Sequence, residues 1–116
     1  TSLERYEREV EGGVLRWSAV HTTEFWRENC RKFDGDNFKL IRHLSTLLDV
    51  ASDDATSLAV ACFDVGEFAR HHPHGRLIVS RLRLKDKVMK LLQREDVELK
   101  RHALLCCSKL MVQHWQ

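Results

Sequence analysis

Apolar and polar positions along this 116-residue chain alternate mainly with a helical period. The clearest case is Leu40, Ile41, Leu44, Leu47 and Leu48, spaced i, i+1, i+4, i+7, i+8, with Lys39, Arg42, His43, Ser45 and Thr46 on the other side. A second stripe runs through Leu58, Ala61, Cys62, Val65, Phe68 and Ala69. Val60 and Phe63 add apolar surface outside it, which predicts a helix covered on more than one side. Residues 75–82 and 84–93 read as shorter helices, the second with Leu84, Val88, Leu91 and Leu92 inward. Leu99, Ala103, Cys106, Cys107 and Leu110 define a last stripe, which Leu104, Leu105, Met111 and Val112 widen to most of the circumference. That last helix is expected to be the most buried.

The polar residues between these stripes supply starts and stops. Thr1 and Glu4 have capping-box spacing, and Gly12-Gly13 would stop a helix over residues 2–11. Residues 13–22 read as an irregular linker. Thr22 or Thr23 can cap a helix through Phe33, with Glu24 in its first turn and Phe25, Trp26, Asn29, Cys30 and Phe33 along one side. "DGDN" is a turn in which Asp36 can cap the next helix. Asp53 or Asp54 restarts helix after "VASDDA", Pro73 ends it, and Asp96 caps the last one. One proline and five glycines are sparse punctuation for a strand-rich fold, so the fold class read here is all-α.

"STLLDVASDDATSLAVACFDVGEF" can be laid over "MKLLQREDVELKRHALLCCSKLM", so that Leu47-Leu48 meets Leu91-Leu92, Ala59 meets Ala103 and Cys62 meets Cys106. The offset matches the armadillo or HEAT period. Each unit is an amphipathic helix, an acidic turn and a more apolar helix that must be covered by a neighbour. The expected architecture is a short armadillo/HEAT-like helical solenoid in one domain, 1–116. It divides into an N-terminal helical segment and linker (1–36), a first unit (37–74) and a second unit (75–116).

Composition narrows the possible functions. Nineteen basic and 17 acidic residues give a net charge of +2, which predicts no nucleic-acid footprint. No apolar run reaches membrane-spanning length, and the charged start "TSLERYEREVE" has no signal-peptide pattern. Cys30, Cys62, Cys106 and Cys107 form no C-x-x-C, and read as reduced thiols that fill space as small hydrophobes.

The stretch "DVGEFARHHPHGR" (64–76) is the place to look for chemistry. His71 and His72 diverge by about 100° on a helix, and His74 lies beyond Pro73, so three ligands do not converge as zinc requires. Arg70, His71 and His72 instead suit the negative end of a helix dipole. Gly75 permits a change of direction. Asp64 and Glu67, three apart, read as a solvated acidic face rather than a catalytic pair. No phosphate loop or hydrolase motif occurs, so the reading is a chain without catalysis, cofactor or metal. Of Trp17, Trp26 and Trp115, Trp26 is expected to pack the N-terminal helix onto the first unit, and Trp17, in the irregular segment, to be an exposed anchor.

Four strings carry a more specific likeness: "WSAVHTTEFWREN" (17–29), "LAVACFDVGEFARHHPHGR" (58–76), "KVMKLL" (87–92) and "ALLCCSKLMV" (103–112). In order and over nearly the whole chain, they resemble the C-terminal domain of the H subunit of the eukaryotic vacuolar-type proton ATPase (V-ATPase). The chain departs from the pattern in a compact segment after His21 and a short loop at 50–54.

The resemblance implies a non-hydrolysing regulator on the cytosolic face of vacuolar and other endomembranes, in the assembled pump or free in the cytosol. It implies contact with the a subunit of the membrane sector in the assembled pump, and with the catalytic hexamer and rotor once the soluble sector detaches. A separate N-terminal armadillo domain would hold the peripheral stalk. The loop matching 50–54 is the family's suggested inhibitory contact. The candidate partner contacts are Val50, Ser52, Asp53 and Asp54 from that loop, together with Trp17 from the irregular segment and Arg70 and Arg76 from the histidine-rich stretch. The isolated domain is expected to be monomeric and not to insert in the membrane. The second reading is an armadillo-type protein-binding adaptor in membrane trafficking, and a metalloenzyme comes third.

Overall fold

The computed structural model describes residues 1–49 and 53–111. Seven α-helices follow one another among them: α1 (Ser2–Gly12), α2 (Thr23–Asn29), α3 (Gly35–Asp49), α4 (Ala55–His71), α5 (Gly75–Arg81), α6 (Leu84–Lys90) and α7 (Val97–Met111). Short 3-10 turns at Cys30–Asp34 and Leu91–Gln93 extend α2 and α6. The described residues contain no strand. The fold is all-α and solenoid-like: α7 lies along α4, while α2, α3 and α5 pack against other parts of α4.

Local chemistry accounts for most boundaries. Thr1 and Glu4 form the complete capping box of α1, and Gly13 ends it in the left-handed region at φ 80°. Thr22 Oγ1 accepts the Phe25 amide to start α2, and Asp54 accepts the Ser57 amide to start α4. The Asp96 carbonyl accepts the Lys100 amide at the start of α7, but its carboxylate pairs with Arg94 at 3.3 Å.

Asp36 does not cap α3. Asp36, Asn37 and Phe38 all lie in the left-handed region, with φ of 52°, 56° and 57°. This conformation costs roughly 1–2 kcal/mol per L-residue. Arg42 holds the turn by donating to the carbonyls of Asp36 at 2.9 Å and Asn37 at 3.0 Å. Phe38 packs edge-on against Phe68 and His72.

The core is one cluster centred on α4, of whose seventeen residues twelve are buried. α7 is not the most buried helix, contrary to its sequence pattern. Leu99, Ala103, Cys106 and Cys107 are buried against α4 and α6, but Leu104, Leu105 and Met111 are exposed on its outer face. An apolar run states what a helix could bury; only a further neighbour on the outer face would have buried Leu104, Leu105 and Met111. Near the N-terminus, Tyr6 stacks on Phe25 at 5.2 Å and Trp26 on Phe33 at 4.6 Å, and Trp26 meets Phe68 of α4 edge-on. Burial of such side chains, at about 1.5–3 kcal/mol each, fastens the N-terminal segment to the solenoid. Trp26 is fully buried in the packing role expected of it.

Candidate functional site

The histidine-rich end of α4 is a structural junction. His72 takes an extended conformation (φ −79°, ψ 136°), as a residue before proline must, and α4 ends at His71. The His72 ring is buried. Its Nδ1 accepts the His74 amide at 2.9 Å, so Nε2 carries the proton and donates to Asp34 at 2.6 Å. His71 Nε2 sits 3.5 Å from Glu67, and His74 is exposed. The three rings thus serve different neighbours. Among the described residues no group of three or more His, Cys, Asp or Glu could hold a metal ion. Gly75 is required for close approach, not for a left-handed backbone. A Cβ there would stand 2.5 Å from the Phe68 carbonyl oxygen and 2.8 Å from Ala69 Cα.

Asp64 and Glu67 are not a solvated face. Both are fully buried. Asp64 accepts hydrogen bonds from the Tyr6 hydroxyl at 2.9 Å, the Trp26 indole at 3.0 Å and His21 Nδ1 at 2.8 Å. Burial raises its pKa, and these three donors only partly offset that. His21 Nε2 in turn bonds to Glu9 of α1. Burial works against a charged His21, yet its bonds to Asp64 and Glu9 outweigh burial and raise its pKa. The same network pushes the Tyr6 phenol well above its ordinary value, chiefly through burial and then through Asp64. Glu67 pairs with Lys109 of α7 at 3.0 Å and with Arg70 at 3.2 Å. Burial opposes its ionisation, but Thr23, Lys109 and Arg70 together hold the carboxyl below its usual range. The Lys109 stem crosses Gly66, where a Cβ would meet its Cδ at 2.8 Å, and its ammonium lies 4.7 Å from the Phe63 ring centroid.

These acids therefore join elements: Asp64 ties α1, the linker and α2 to α4, and Glu67 ties α4 to α7. One sequence signal pointed this way. Asp64 lies four residues from Val60 and from Phe68, so it stands in an otherwise apolar row. His21, the centre of the network, sits in an irregular segment where periodicity gives no signal.

The candidate contacts fall at two ends of α4, whose 17 residues span about 25 Å. Trp17 is 44% exposed, enough to offer a face to a partner. Its ring lies 4.7 Å from His102 and 5.7 Å from Phe63. Burial, and then the charge of Arg101, hold that His102 ring toward its neutral form. With Ala55, Ala59, Val97 and Leu99, Trp17 lines an open groove of about 300 Å³ between the first turns of α4 and α7. Asp53 is exposed beside it. The Asp54 carboxylate accepts from the Ser57 amide and hydroxyl and from Arg16, and these bonds hold its pKa down. Val50 and Ser52 lie outside the described residues.

At the far end Arg70 is exposed beside Glu67, and Arg76 donates to the Lys109 carbonyl at 3.3 Å. Arg76 also borders a groove of about 490 Å³ with Val79, Arg83, Lys85 and Leu110. The structure brings Trp17, Asp53 and Asp54 to one edge, and places Arg70 and Arg76 elsewhere. All four cysteines are buried free thiols, and burial pushes Cys106 up to about 12, which keeps it protonated. No helix among the described residues is long and apolar enough to cross a membrane.

Comparison with known proteins places this arrangement. The model of a family described as the V-ATPase H subunit matches residues 1–115. The chain is 44% identical to the V-type proton ATPase H subunit of Drosophila melanogaster over 117 aligned positions, covering 100% of this chain and 25% of that protein. It is 42% identical to the probable V-type proton ATPase H subunit of Oryza sativa subsp. japonica, covering 97% of this chain and 25% of that protein. With the V-type proton ATPase H subunit of Dictyostelium discoideum the identity is 32%, over 100% of this chain and 26% of that protein. The chain spans about a quarter of the length of the relatives it matches.

Proposed function

The chain belongs to the V-ATPase H-subunit family, and from that premise we propose that it is a non-catalytic regulatory domain of a proton-pumping ATPase. It couples the soluble and membrane sectors when they are joined, through the a subunit of the membrane sector. It restrains ATP hydrolysis when the soluble sector is detached, by bridging the catalytic hexamer and the rotor. The observation that carries this reading is the family match from residue 1 to residue 115. The structure suits the task. A rotary machine is stopped by a rigid link between a moving and a static part, and a helical body cross-tied by Asp64 and Glu67 is such a link. Contacts that must be exchanged between two partners should be small and polar at the rim, since a large apolar interface would be permanent. The edge formed by Trp17, Asp53 and Asp54 fits that description, and we assign the rotor-facing contact there; Val50 and Ser52 are proposed as contacts on the strength of the resemblance alone. Arg70 and Arg76, at the other end, would face a second component of the pump. The domain then works on the cytosolic face of the pump's membrane.

The test is an ATPase assay on detached soluble sectors that lack the H subunit. The full-length H subunit should lower hydrolysis, and a version with Trp17→Ala and Asp53→Lys should lower it less. Unchanged hydrolysis with the unmodified protein would refute the inhibitory role.

A further inference from the structure

His21 is held between two carboxylates that differ in freedom. Its side chain is fully buried, as is that of Asp64, whereas that of Glu9 is 25% exposed and can reach water. Nδ1 faces Asp64 on α4 and Nε2 faces Glu9 on α1. Tyr6 of α1 also lies against this ring, and its hydroxyl donates to Asp64. Trp26 of α2 supplies the third donor to Asp64. The Tyr6 hydroxyl, the Trp26 indole and a protonated His21 all donate to Asp64, an arrangement that suits an ionised carboxylate. Glu9 Oε1 also accepts the Arg16 amide at 3.3 Å, while the Arg16 guanidinium turns to Asp54 at 3.1 Å.

We propose that His21 is a pH-sensitive clasp: loss of its ring proton frees Glu9, and with Glu9 one anchor of the segment 13–17 that carries Trp17.

Only the imidazolium can donate to both carboxylates at once. A neutral ring has one N–H. That hydrogen stays on Nδ1, because the Asp64 carboxylate is sealed from water and depends on protein donors alone, whereas Glu9 can be solvated. Nε2 then turns a lone pair toward the Glu9 carboxylate, an acceptor against an acceptor. Glu9 swings into water and releases the Arg16 amide. Leu15 stays tied to Ser57 by its own amide at 2.9 Å, so the segment loosens without the fold opening. Because the closed state raises the His21 pKa, closure is strongest below the ordinary imidazole value and is lost as pH rises through the folded one. The clasp therefore tightens as pH falls toward the ordinary imidazole value and relaxes as pH rises through the raised, folded one. Its consequence for partner docking rests on the reading of Trp17 as a contact; the clasp itself does not.

Amide hydrogen exchange over residues 14–20 between pH 6 and pH 9, corrected for intrinsic rates, reads the clasp in the domain without any partner. Protection of the Arg16 amide should fall by up to about tenfold per pH unit between the ordinary and the folded imidazole values. The His21 ring resonances should titrate over the same interval. Glu9→Gln should abolish the fall, because a glutamine N–H can donate to the neutral Nε2. Constant protection in the unmodified chain, or the same fall in Glu9→Gln, would overturn the proposal. A clasp that titrates as described but leaves ATPase regulation unchanged would count against the Trp17 contact alone.

Discussion

The indole N–H of Trp26 donates to Asp64 Oδ1 at 3.0 Å, and both side chains are fully buried. A helix of only seven residues is thereby fixed to the central helix by one charge-assisted bond. Trp26→Phe keeps most of the ring volume and removes the donor. It should cost about 1.5–3 kcal/mol in chemical denaturation. Asp64→Ala should cost more, since it strands three buried donors. A loss below about 0.5 kcal/mol in either variant, the usual result at an exposed position, would show that the network carries no stability.

Lys109 and Glu67 should couple across the α4–α7 contact. Lys109→Met removes the closer of the two cations on a buried carboxylate and should destabilise by about 2 kcal/mol. In a double-mutant cycle with Glu67→Gln the interaction energy should lie between about 0.5 and 3 kcal/mol. Strict additivity of the two changes is the outcome that would contradict the contact.

Two glycines should respond oppositely to alanine. At Gly75 a Cβ meets backbone atoms at 2.5 and 2.8 Å that cannot move aside, so Gly75→Ala should cost about 3 kcal/mol. At Gly12 nothing lies within 4 Å, and the residue ends a helix, so Gly12→Ala should be neutral or stabilise by up to about 1 kcal/mol. Thermal melts of the two variants side by side decide the matter.

Arg83 carries a left-handed backbone (φ 56°) without being glycine, at an exposed position before α6. Arg83→Gly should raise stability by about 1 kcal/mol, because it relieves the clash of Cβ with the backbone. A melting temperature that falls would mean that the side chain does more in the adjoining groove than the backbone costs.

Trp17 allows folding and docking to be separated. Being 44% exposed, it should lose little stability on Trp17→Ala, about 1 kcal/mol for its contacts with Phe63 and His102. If it anchors a partner, the same change should weaken binding to soluble sectors by at least about 2 kcal/mol, or some thirtyfold, in a titration. Equal losses in the two measurements would demote Trp17 to a packing residue.

The sequence alone determined the helical class, most helix boundaries and the main apolar stripe of each longer helix. These depend on residues three or four apart, on caps such as Thr1, Thr22 and Asp54, and on breakers such as Gly13 and Pro73, all within one turn of where they act. Strings such as "ALLCCSKLMV" added the family for the same reason: they are read in order along the chain. What only the tertiary structure decided was the fate of groups whose neighbours are distant in sequence. Asp64 and Glu67 look solvated from their own turn, but the donors that make them buriable come from Tyr6, His21, Trp26 and Lys109, some 38 to 58 residues away for Asp64 and in another helix for Lys109. The same holds for α7, whose apolar circumference is buried only where α4 and α6 lie against it. A local pattern fixes which face of a helix is apolar. Burial, and with it the charge state of an acid or an imidazole, is set by what the rest of the chain stacks against that face.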